Sequence, residues 1–230
     1  MAKPGASLKA SLRQSVIGAY RARGRGQNNL WLVSSVKTNT DWILPSDRQF
    51  IHWIACLETN PDVLDFDLAP ELVLSQDSQE QRATQLDAVA TYRDRKIEWH
   101  EVKAGHNKND PKNQSQFLAQ SAAASKEHVE YRIFNDSDLK PHAKVALRWL
   151  KPLAYANAIH DHEYSHYRAL LVSYFKRHGS GRIGQILQAM PEHDSAIVLG
   201  MVSRLAIQCV ITIDLNKISF GLLTPWSYRG

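Results

Sequence analysis

Apolar positions at helical spacing begin shortly after Pro45. Ser46, followed three residues later by Gln49, is typical of a helix N-terminus. The apolar residues that follow recur every three or four positions and predict one buried helix face: Phe50, Ile51, Trp53, Ile54 and Leu57. Asn60-Pro61 predicts the end of this helix, because proline cannot continue it.

Shorter stretches with strand-like composition lie on both sides of this helix. They predict strands over 30–36, 63–68, 71–75, 84–92, 96–103 and 130–134. Residues 93–95 predict a turn that joins the fourth and fifth strands into a hairpin. Helices are predicted over 115–126 and 138–155, the second starting near Pro141 and breaking at Pro152. The predicted class is α/β, in the α-β-β-β-α-β order of a restriction-endonuclease-like (PD-(D/E)xK) core.

The pattern changes near residue 160. Helices are predicted over 163–177, 182–189 and 194–207, followed by strands over 209–215 and 217–223 that are joined at Asn216. Three helices and a hairpin in this order predict a C-terminal winged-helix-like domain. In such a domain the helix at 194–207 would be the recognition helix, but its only basic residue is Arg204. This composition favours packing or a protein partner over reading of the major groove.

Three regions follow from these patterns: a basic N-terminal arm and lead-in over 1–40, a catalytic domain over 41–158, and the winged-helix-like domain over 159–230. The composition is that of a folded chain, with 43% hydrophobic and 22% charged residues among 230. No apolar run approaches the roughly 18 residues of a membrane span. Cys56 and Cys209 stand among apolar neighbours, which predicts buried thiols in a reducing compartment and a cytoplasmic location.

Charge is distributed unevenly. The first 40 residues carry seven basic and no acidic side chains, and residues 166–230 carry seven basic and three acidic ones. Residues 41–165 carry 14 basic and 20 acidic side chains. This pattern predicts contact with a polyanion at the ends and with cations in the middle. A basic arm with no partner is the alternative. The DNA-binding candidates are Arg21, Arg23, Arg25 and Lys37, together with His106 and Lys108 in a polar loop.

The candidate chemistry lies in the predicted hairpin. Alternate side chains of a strand share a face, so Glu101 and Lys103 project to the same side, and Asp87 on the neighbouring strand converges on them. Two carboxylates are suitable ligands for Mg²⁺, with Mn²⁺ as a substitute. A lysine beside them can stabilise charge on a phosphate or position the attacking water. The pattern predicts a metal-dependent phosphodiesterase. The alternative is a solvated hairpin face with a surface ion pair. His100 alternates away from Glu101 and is predicted to be structural.

The order of these pieces resembles the TnsA-type endonuclease subunit of heteromeric transposases. The matching pieces are SVK at 35–37, SDRQF at 46–50, LETNPDVLDFDLAP at 57–70, Asp87, EVK at 101–103 and EHVEYRIFNDSDL at 127–139. The resemblance covers about half of the chain. It implies a restriction-endonuclease-like core followed by a winged-helix-like C-terminal domain.

Gln49 departs from the family pattern, which has glutamate at this position of the Ser-x-x-Glu helix start. An amide oxygen can still bind a metal or a metal-bound water, but the site then lacks one negative charge. The alternative is a capping box, in which the Gln49 side chain returns to the backbone N–H of Ser46. The sequence leaves both interpretations open.

The resemblance implies an enzyme that cuts the non-transferred strand at transposon ends. It implies as partners DNA, a TnsB-like DDE transposase and a TnsC-like AAA+ ATPase, and no membrane. Asp87 and Glu101 would bind the metal, and Lys103 would assist the attack on phosphorus. Two alternatives are a catalytically impaired subunit that bridges DNA, transposase and ATPase, and a stand-alone restriction or repair nuclease.

Overall fold

A computed structural model describes residues 29–70, 73–77, 80–105 and 111–230. They form a mixed α/β structure, as predicted, in two compact units. The first unit ends at Pro141, and the second comprises Glu58–Pro61 and His142–Gly230. The predicted boundary near residue 158 is therefore too late, because the helix that precedes it packs within the second unit. In the described part of the chain, no helix is both long and apolar enough to cross a membrane.

The first unit starts with the hairpin of β1 (Trp31–Ser35) and β2 (Thr40–Leu44). Helix α1 (Asp47–His52) begins next, and Ser46 caps it as predicted, with Oγ accepting from the backbone N–H of Gln49 at 3.2 Å. The chain continues as a π-helix over Trp53–Glu58 instead of the predicted α-helical turn. The wider helix still buries the predicted apolar face, including Trp53 and Leu57.

Six strands and one long helix follow in the described part of the first unit, ahead of a short helix given below. The strands are β3 (Val63–Asp67), β4 (Val73–Asp77), β5 (Glu80–Thr84), β6 (Ala88–Tyr92), β7 (Ile97–Val102) and β8 (Glu130–Phe134). Four of them form a sheet in the order β3-β6-β7-β8. The first three strands of this sheet are antiparallel. The last pair is parallel and is connected through α2 (Pro111–Lys126).

The strand predicted over 84–92 is two strands. Its first residue, Thr84, belongs to β5, which pairs with β4 in a separate hairpin, whereas β6 belongs to the main sheet. The break has a clear cause: Gln85 turns inward, and its side-chain Nε2 donates to the carbonyl of Pro70 at 2.8 Å. The predicted pairing with the next strand is confirmed, with Ala88 opposite His100.

The helix predicted over 138–155 also differs from the prediction. It is interrupted at Lys140–His142 by a 3₁₀ turn, between the short α3 (Asp136–Leu139) and α4 (Ala143–Ala158). No break occurs at Pro152, which lies buried inside α4. Proline removes one helical hydrogen bond, and packing of the surrounding turns outweighs this loss.

The second unit continues after α4 with three helices and three short strands. These are α5 (Ser165–His178), β9 (Ser180–Arg182), α6 (Ile183–Ala189), α7 (Ser195–Ile207), β10 (Ile211–Ile213) and β11 (Pro225–Tyr228). The strands form an antiparallel sheet in the order β10-β11-β9. All three predicted helices are present.

The hairpin predicted at Asn216 is wrong, since β10 pairs with β11 and residues 217–223 form a loop. Side chains stabilise the turns of this loop: Asp214 accepts from the N–H of Asn216, and Thr224 accepts from that of Gly221. The apolar alternation that suggested a strand arises partly from Phe220, which is buried while the loop crosses the core.

Helix α7 forms the centre of the second core. Most of its residues are buried, and it approaches α4 closely at Gly200. A Cβ at this position would lie 2.8 Å from the carbonyl oxygen of Tyr155, so only glycine permits the contact. The packing role predicted for this helix agrees with this burial.

Candidate functional site

Asp87 lies directly before β6 and is fixed by the backbone of the neighbouring strand. Its N–H donates to the carbonyl of His100 at 3.0 Å, and its Oδ2 accepts from the N–H of Val102 at 2.8 Å. The side chain is buried, with 4% of the residue exposed. These contacts place the carboxylate beside the residue that follows Glu101, as the predicted hairpin requires.

Gln49 contacts Asp87 from helix α1. Its Nε2 donates to Asp87 Oδ1 at 3.2 Å, so the side chain points toward the candidate site instead of returning to Ser46. Its Oε1 is buried and has no hydrogen-bond partner among the described residues. A buried oxygen without a donor lowers the stability of the fold. Reversing the Gln49 amide would not relieve this, because its Oε1 would then face Asp87 Oδ1, which is also an acceptor. Of the two interpretations of Gln49, the contacts favour a site residue.

Glu101 and Lys103 form the second pair. Lys103 Nζ lies 2.8 Å from Glu101 Oε1, which confirms that the two side chains share a face of the strand. Glu101 is fully buried, whereas the Lys103 side chain is 23% exposed. Together with the burial of Asp87, this contradicts the alternative of a solvated face with a surface ion pair. Both predicted carboxylates are inside the protein.

Two glutamines of α2 also contact Glu101, and the sequence pattern did not indicate them. Gln116 Nε2 donates to Glu101 Oε1 at 3.0 Å, and Gln120 Nε2 donates to Glu101 Oε2 at 3.1 Å. Gln116 Oε1 also accepts from Lys103 Nζ at 3.0 Å. The available signal was their spacing of four residues, which places two amides on one helix face.

Tyr131 fixes the orientation of Gln120. Its hydroxyl donates to Gln120 Oε1 at 2.6 Å, so the amide of Gln120 is directed at Glu101 and Thr84. Burial raises the pKa of the Tyr131 phenol, and the negative charges of Glu101 and Asp87 raise it further. The phenol therefore remains a donor across the physiological range.

The loop after β7 is tied to the start of α1. Asp136 accepts from the guanidinium of Arg48, the residue before Gln49, and its Oδ2 also accepts from the N–H of Gly105 at 2.8 Å. The backbone of Gly105 has a φ of +87°, which favours glycine. One carboxylate thus connects the helix of Gln49 with the end of the strand that carries Glu101.

The opposite face of β7 holds a second buried polar cluster. Glu98 accepts from Lys96 Nζ at 2.7 Å, from Tyr92 OH at 2.8 Å and from His100 Nε2 at 3.1 Å. His100 Nδ1 lies 3.0 Å from His52 Nε2. Burial lowers the pKa of His100, so the neutral ring donates through Nε2 and accepts through Nδ1. This arrangement agrees with the structural role predicted for His100.

Most DNA-binding candidates lie outside the described residues, namely Arg21, Arg23, Arg25, His106 and Lys108. Lys37 is described, and it has a role that the sequence did not indicate. Its Nζ donates to the carbonyls of Leu57 and Val63, both at 2.8 Å, and so connects the end of the π-helix with the start of β3. These contacts use the ammonium inside the fold.

The described residues contain no group of three or more His, Cys, Asp or Glu side chains placed to hold a metal ion. The site offers two carboxylates and one amide oxygen instead. Mg²⁺ commonly uses one or two carboxylates and retains several waters, so this donor set fits it. The unpartnered Gln49 Oε1 is a hard oxygen donor that a cation would satisfy.

The chain was compared with models of known protein families and with curated proteins. No family model matches it, and no curated protein matches it either.

Proposed function

We propose that this chain is a Mg²⁺-dependent DNA endonuclease that hydrolyses a phosphodiester bond. The observation that carries the proposal is the presence of two side-chain pairs near one end of β7, where the backbone N–H of Val102 donates to Asp87. Gln49 contacts Asp87, Lys103 contacts Glu101, and both carboxylates are buried. Burial of two acids beside one lysine and one unpartnered amide oxygen lowers stability, and such costly arrangements of charged groups cluster at functional sites.

Each residue has a distinct role in this proposal. Asp87, Glu101 and the Oε1 atom of Gln49 would hold Mg²⁺, which supplies Lewis-acid stabilisation of the phosphate and lowers the pKa of a bound water. Lys103 would neutralise charge that develops on the phosphate oxygens. The backbone N–H of Val102 holds one oxygen of Asp87 in place. The site carries one negative charge fewer than it would with glutamate at position 49.

The order of elements supports the proposal at the level of fold. In the main sheet of the first unit, a helix is followed by the antiparallel strands β3, β6 and β7, then by a helix and the parallel strand β8. Apart from the inserted β4-β5 hairpin, this order matches that of a restriction-endonuclease-like core. In the second unit, the order from α5 to β11 and the β10-β11-β9 sheet favour a winged-helix-like domain. Because α7 is buried there, we expect this domain to contact a protein and not the major groove.

The transposition role rests on the sequence resemblance to TnsA-type subunits. In that role the chain would cut the non-transferred strand at transposon ends, beside a TnsB-like DDE transposase and a TnsC-like AAA+ ATPase. The partners would supply sequence specificity. The basic residues of the N-terminal segment would add affinity for the DNA backbone that does not depend on sequence.

A second candidate function is an assembly subunit with an impaired site, which bridges DNA, transposase and ATPase. The observation that favours it is the neutral side chain at position 49, in direct contact with Asp87. In this case Gln49→Glu would restore a missing ligand charge. We expect Mn²⁺ binding and strand nicking to increase in that variant, and unchanged values would remove the motivation for this candidate.

The test of the leading proposal is Mn²⁺ binding by the full chain, measured from the loss of the free-ion EPR signal. Asp87→Ala should weaken binding by more than about 10- to 100-fold, the loss seen when only an outer-shell partner is removed. Asp41→Ala, at an exposed position of β2, is the matched control and should bind as wild type does. Equal binding in Asp87→Ala and wild type would contradict the proposed site.

Nicking of supercoiled plasmid DNA by the same proteins separates the remaining alternatives. Cleavage by the isolated chain, lost in Asp87→Ala, would favour a stand-alone nuclease. Asp87-dependent Mn²⁺ binding without cleavage would favour a subunit that requires its partner transposase.

A further inference from the structure

Gln116 contacts both groups that the proposed chemistry needs. Its Nε2 donates to Glu101 Oε1 at 3.0 Å, and its Oε1 accepts from Lys103 Nζ at 3.0 Å. Lys103 and Glu101 also contact each other at 2.8 Å, so the three side chains close a small ring of hydrogen bonds. The amide of Gln116 therefore binds both Glu101, the candidate metal ligand, and Lys103, the candidate phosphate-binding residue.

We propose that Gln116 is a positioning residue that competes with a divalent cation for Glu101 and with a phosphate oxygen for Lys103, and that holds the site closed until the cation displaces it. This inference rests on the proposed function. In the closed state the amide of Gln116 is bound to Glu101 and its carbonyl to Lys103. In the open state a cation would replace the amide N–H of Gln116 at Glu101, and a phosphate oxygen would replace the Gln116 carbonyl at Lys103.

The acceptor capacity of Glu101 explains the closed state. A carboxylate oxygen has two lone pairs, and Oε1 already receives one donor from Lys103 and one from Gln116. A cation at Oε1 must displace one of these two donors. Displacement of Gln116 leaves the charge of Lys103 in place for the phosphate, whereas displacement of Lys103 would separate its ion pair with Glu101.

Gln116, and not Gln120, is the side chain that is able to move. Gln120 is fully buried, and its two ends are held by Tyr131 at 2.6 Å and by Thr84 at 3.0 Å. Gln116 is partly exposed, and its contact with Thr84 is longer, at 3.4 Å. Rotation of Gln116 toward solvent would break no contact of Gln120, so Glu101 would keep one fixed donor while its other oxygen becomes available.

Both hydrogen-bonding ends of Gln116 are removed in Gln116→Leu, which keeps an apolar side chain out to Cδ. We expect this variant of the full chain to bind Mn²⁺ about tenfold more tightly than wild type, the factor typical of removing one charge-assisted hydrogen bond that competes with the ligand. The measurement is again the free-ion EPR signal, which requires neither DNA nor catalysis.

Gln114→Leu is the matched control, because Gln114 lies on the same helix and is exposed. It should leave the dissociation constant unchanged. Thermal unfolding of each protein verifies that it is folded, and Gln116→Ala provides a second variant that lacks the amide. Tighter binding in the Gln116 variants, lost again when Asp87→Ala is added, would support the proposal.

Other outcomes overturn it in distinguishable ways. Equal or weaker Mn²⁺ binding in Gln116→Leu, while wild-type binding still depends on Asp87, would show that Gln116 does not compete with the cation, and the proposed function would stand. The absence of Asp87-dependent binding in both wild type and Gln116→Leu would overturn the metal site and this inference together.

Discussion

Strand β7 carries two buried glutamates, Glu98 and Glu101, whose side chains lie on opposite faces of the sheet. They are similar in burial, with 4% and 0% of the residue exposed, but they differ in their partners. Glu98 accepts from Tyr92, Lys96 and His100, and these contacts lower its pKa to about 2, with the bond from His100 as the largest cause. The register of β6 and β7 fixes all of these donors.

The donors of Glu101 are of another kind. Two are the neutral amides of Gln116 and Gln120, which come from helix α2, and one is the ammonium of Lys103. An amide has a donor and an acceptor end, so it can turn and bind a different partner. Burial of a carboxylate is therefore a poor indicator of function by itself. What we expect to mark a ligand site is a buried carboxylate whose hydrogen-bond donors can turn away and be replaced by a ligand.

The largest expected effect is a difference in stability between Glu98→Gln and Glu101→Gln. Glutamine at position 98 would remove the buried negative charge that accepts from Lys96, Tyr92 and His100, and should cost about 3 kcal/mol. Glutamine at position 101 would lose the charge that pairs with Lys103, but Lys103 is partly exposed and can turn to solvent, which lets Gln116 reverse its amide and accept, so the cost should be about 1 kcal/mol. Urea unfolding followed by tryptophan fluorescence measures both values.

The same pair of variants should show the opposite ranking in Mn²⁺ binding. Glu98→Gln should bind as wild type does, because Glu98 lies on the face away from the candidate site. Glu101→Gln should lose binding. Similar stability losses in Glu98→Gln and Glu101→Gln would mean that the donors of Glu101 are as rigidly held as those of Glu98.

A smaller effect is the pH dependence of the free energy of unfolding, which arises from His100 beside Glu98. The pKa of His100 is lowered by burial, so the folded state keeps this ring neutral while the unfolded chain takes up a proton near pH 6.5. The free energy of unfolding should therefore fall as the pH is lowered from 7.5 to 5.5, by at most about 1.4 kcal/mol per pH unit for this group.

Glu98 does not contribute in this range. Its pKa is lowered to about 2, so its stabilisation is complete above about pH 4.5 and is lost only below that value. His100→Gln should flatten the slope between pH 7.5 and 5.5, measured by urea unfolding at each pH. His142→Gln, at an exposed position without a side-chain cap bond, should retain the wild-type slope. An unchanged slope in His100→Gln would contradict the assignment.

Local patterns in the sequence were sufficient for the strand that carries the site. Alternation placed Glu101 and Lys103 on one face, the turn at 93–95 predicted the hairpin, and Ser46 marked the start of α1. Each of these features depends on residues that are close in the chain, and each is confirmed.

Features that depend on distant residues were missed. Gln116 and Gln120 reach Glu101 across 15 and 19 positions, and nothing local indicates which polar residues of α2 face a buried acid. Strand β10 pairs with β11 across an 11-residue loop, and the apolar alternation within this loop led to the wrong prediction of a strand there. Pro152 marks a helix break by local rules, yet packing keeps α4 continuous. Tertiary contacts decide these cases.

The smallest expected effect is a difference in stability between variants of two tyrosines, one on the Glu98 side of β7 and one on the Glu101 side. Tyr92 donates to the carboxylate of Glu98 at 2.8 Å, whereas Tyr131 donates to the amide oxygen of Gln120 at 2.6 Å. A hydrogen bond to a charged group contributes about 1.5–3 kcal/mol, and one between neutral groups about 0.5–1.5 kcal/mol. Tyr92→Phe should therefore destabilise the protein more than Tyr131→Phe does, as measured by urea unfolding.

The two variants should also differ at the metal. Loss of the Tyr131 hydroxyl allows Gln120 to reverse, so its amide no longer has a fixed direction toward Glu101, and Mn²⁺ binding should change measurably. Tyr92→Phe should leave Mn²⁺ binding unchanged, because Glu98 and its donors lie on the other face. If Tyr92→Phe altered the binding and Tyr131→Phe did not, the assignment of a structural role to the Glu98 face of β7 and of metal binding to the Glu101 face would be wrong.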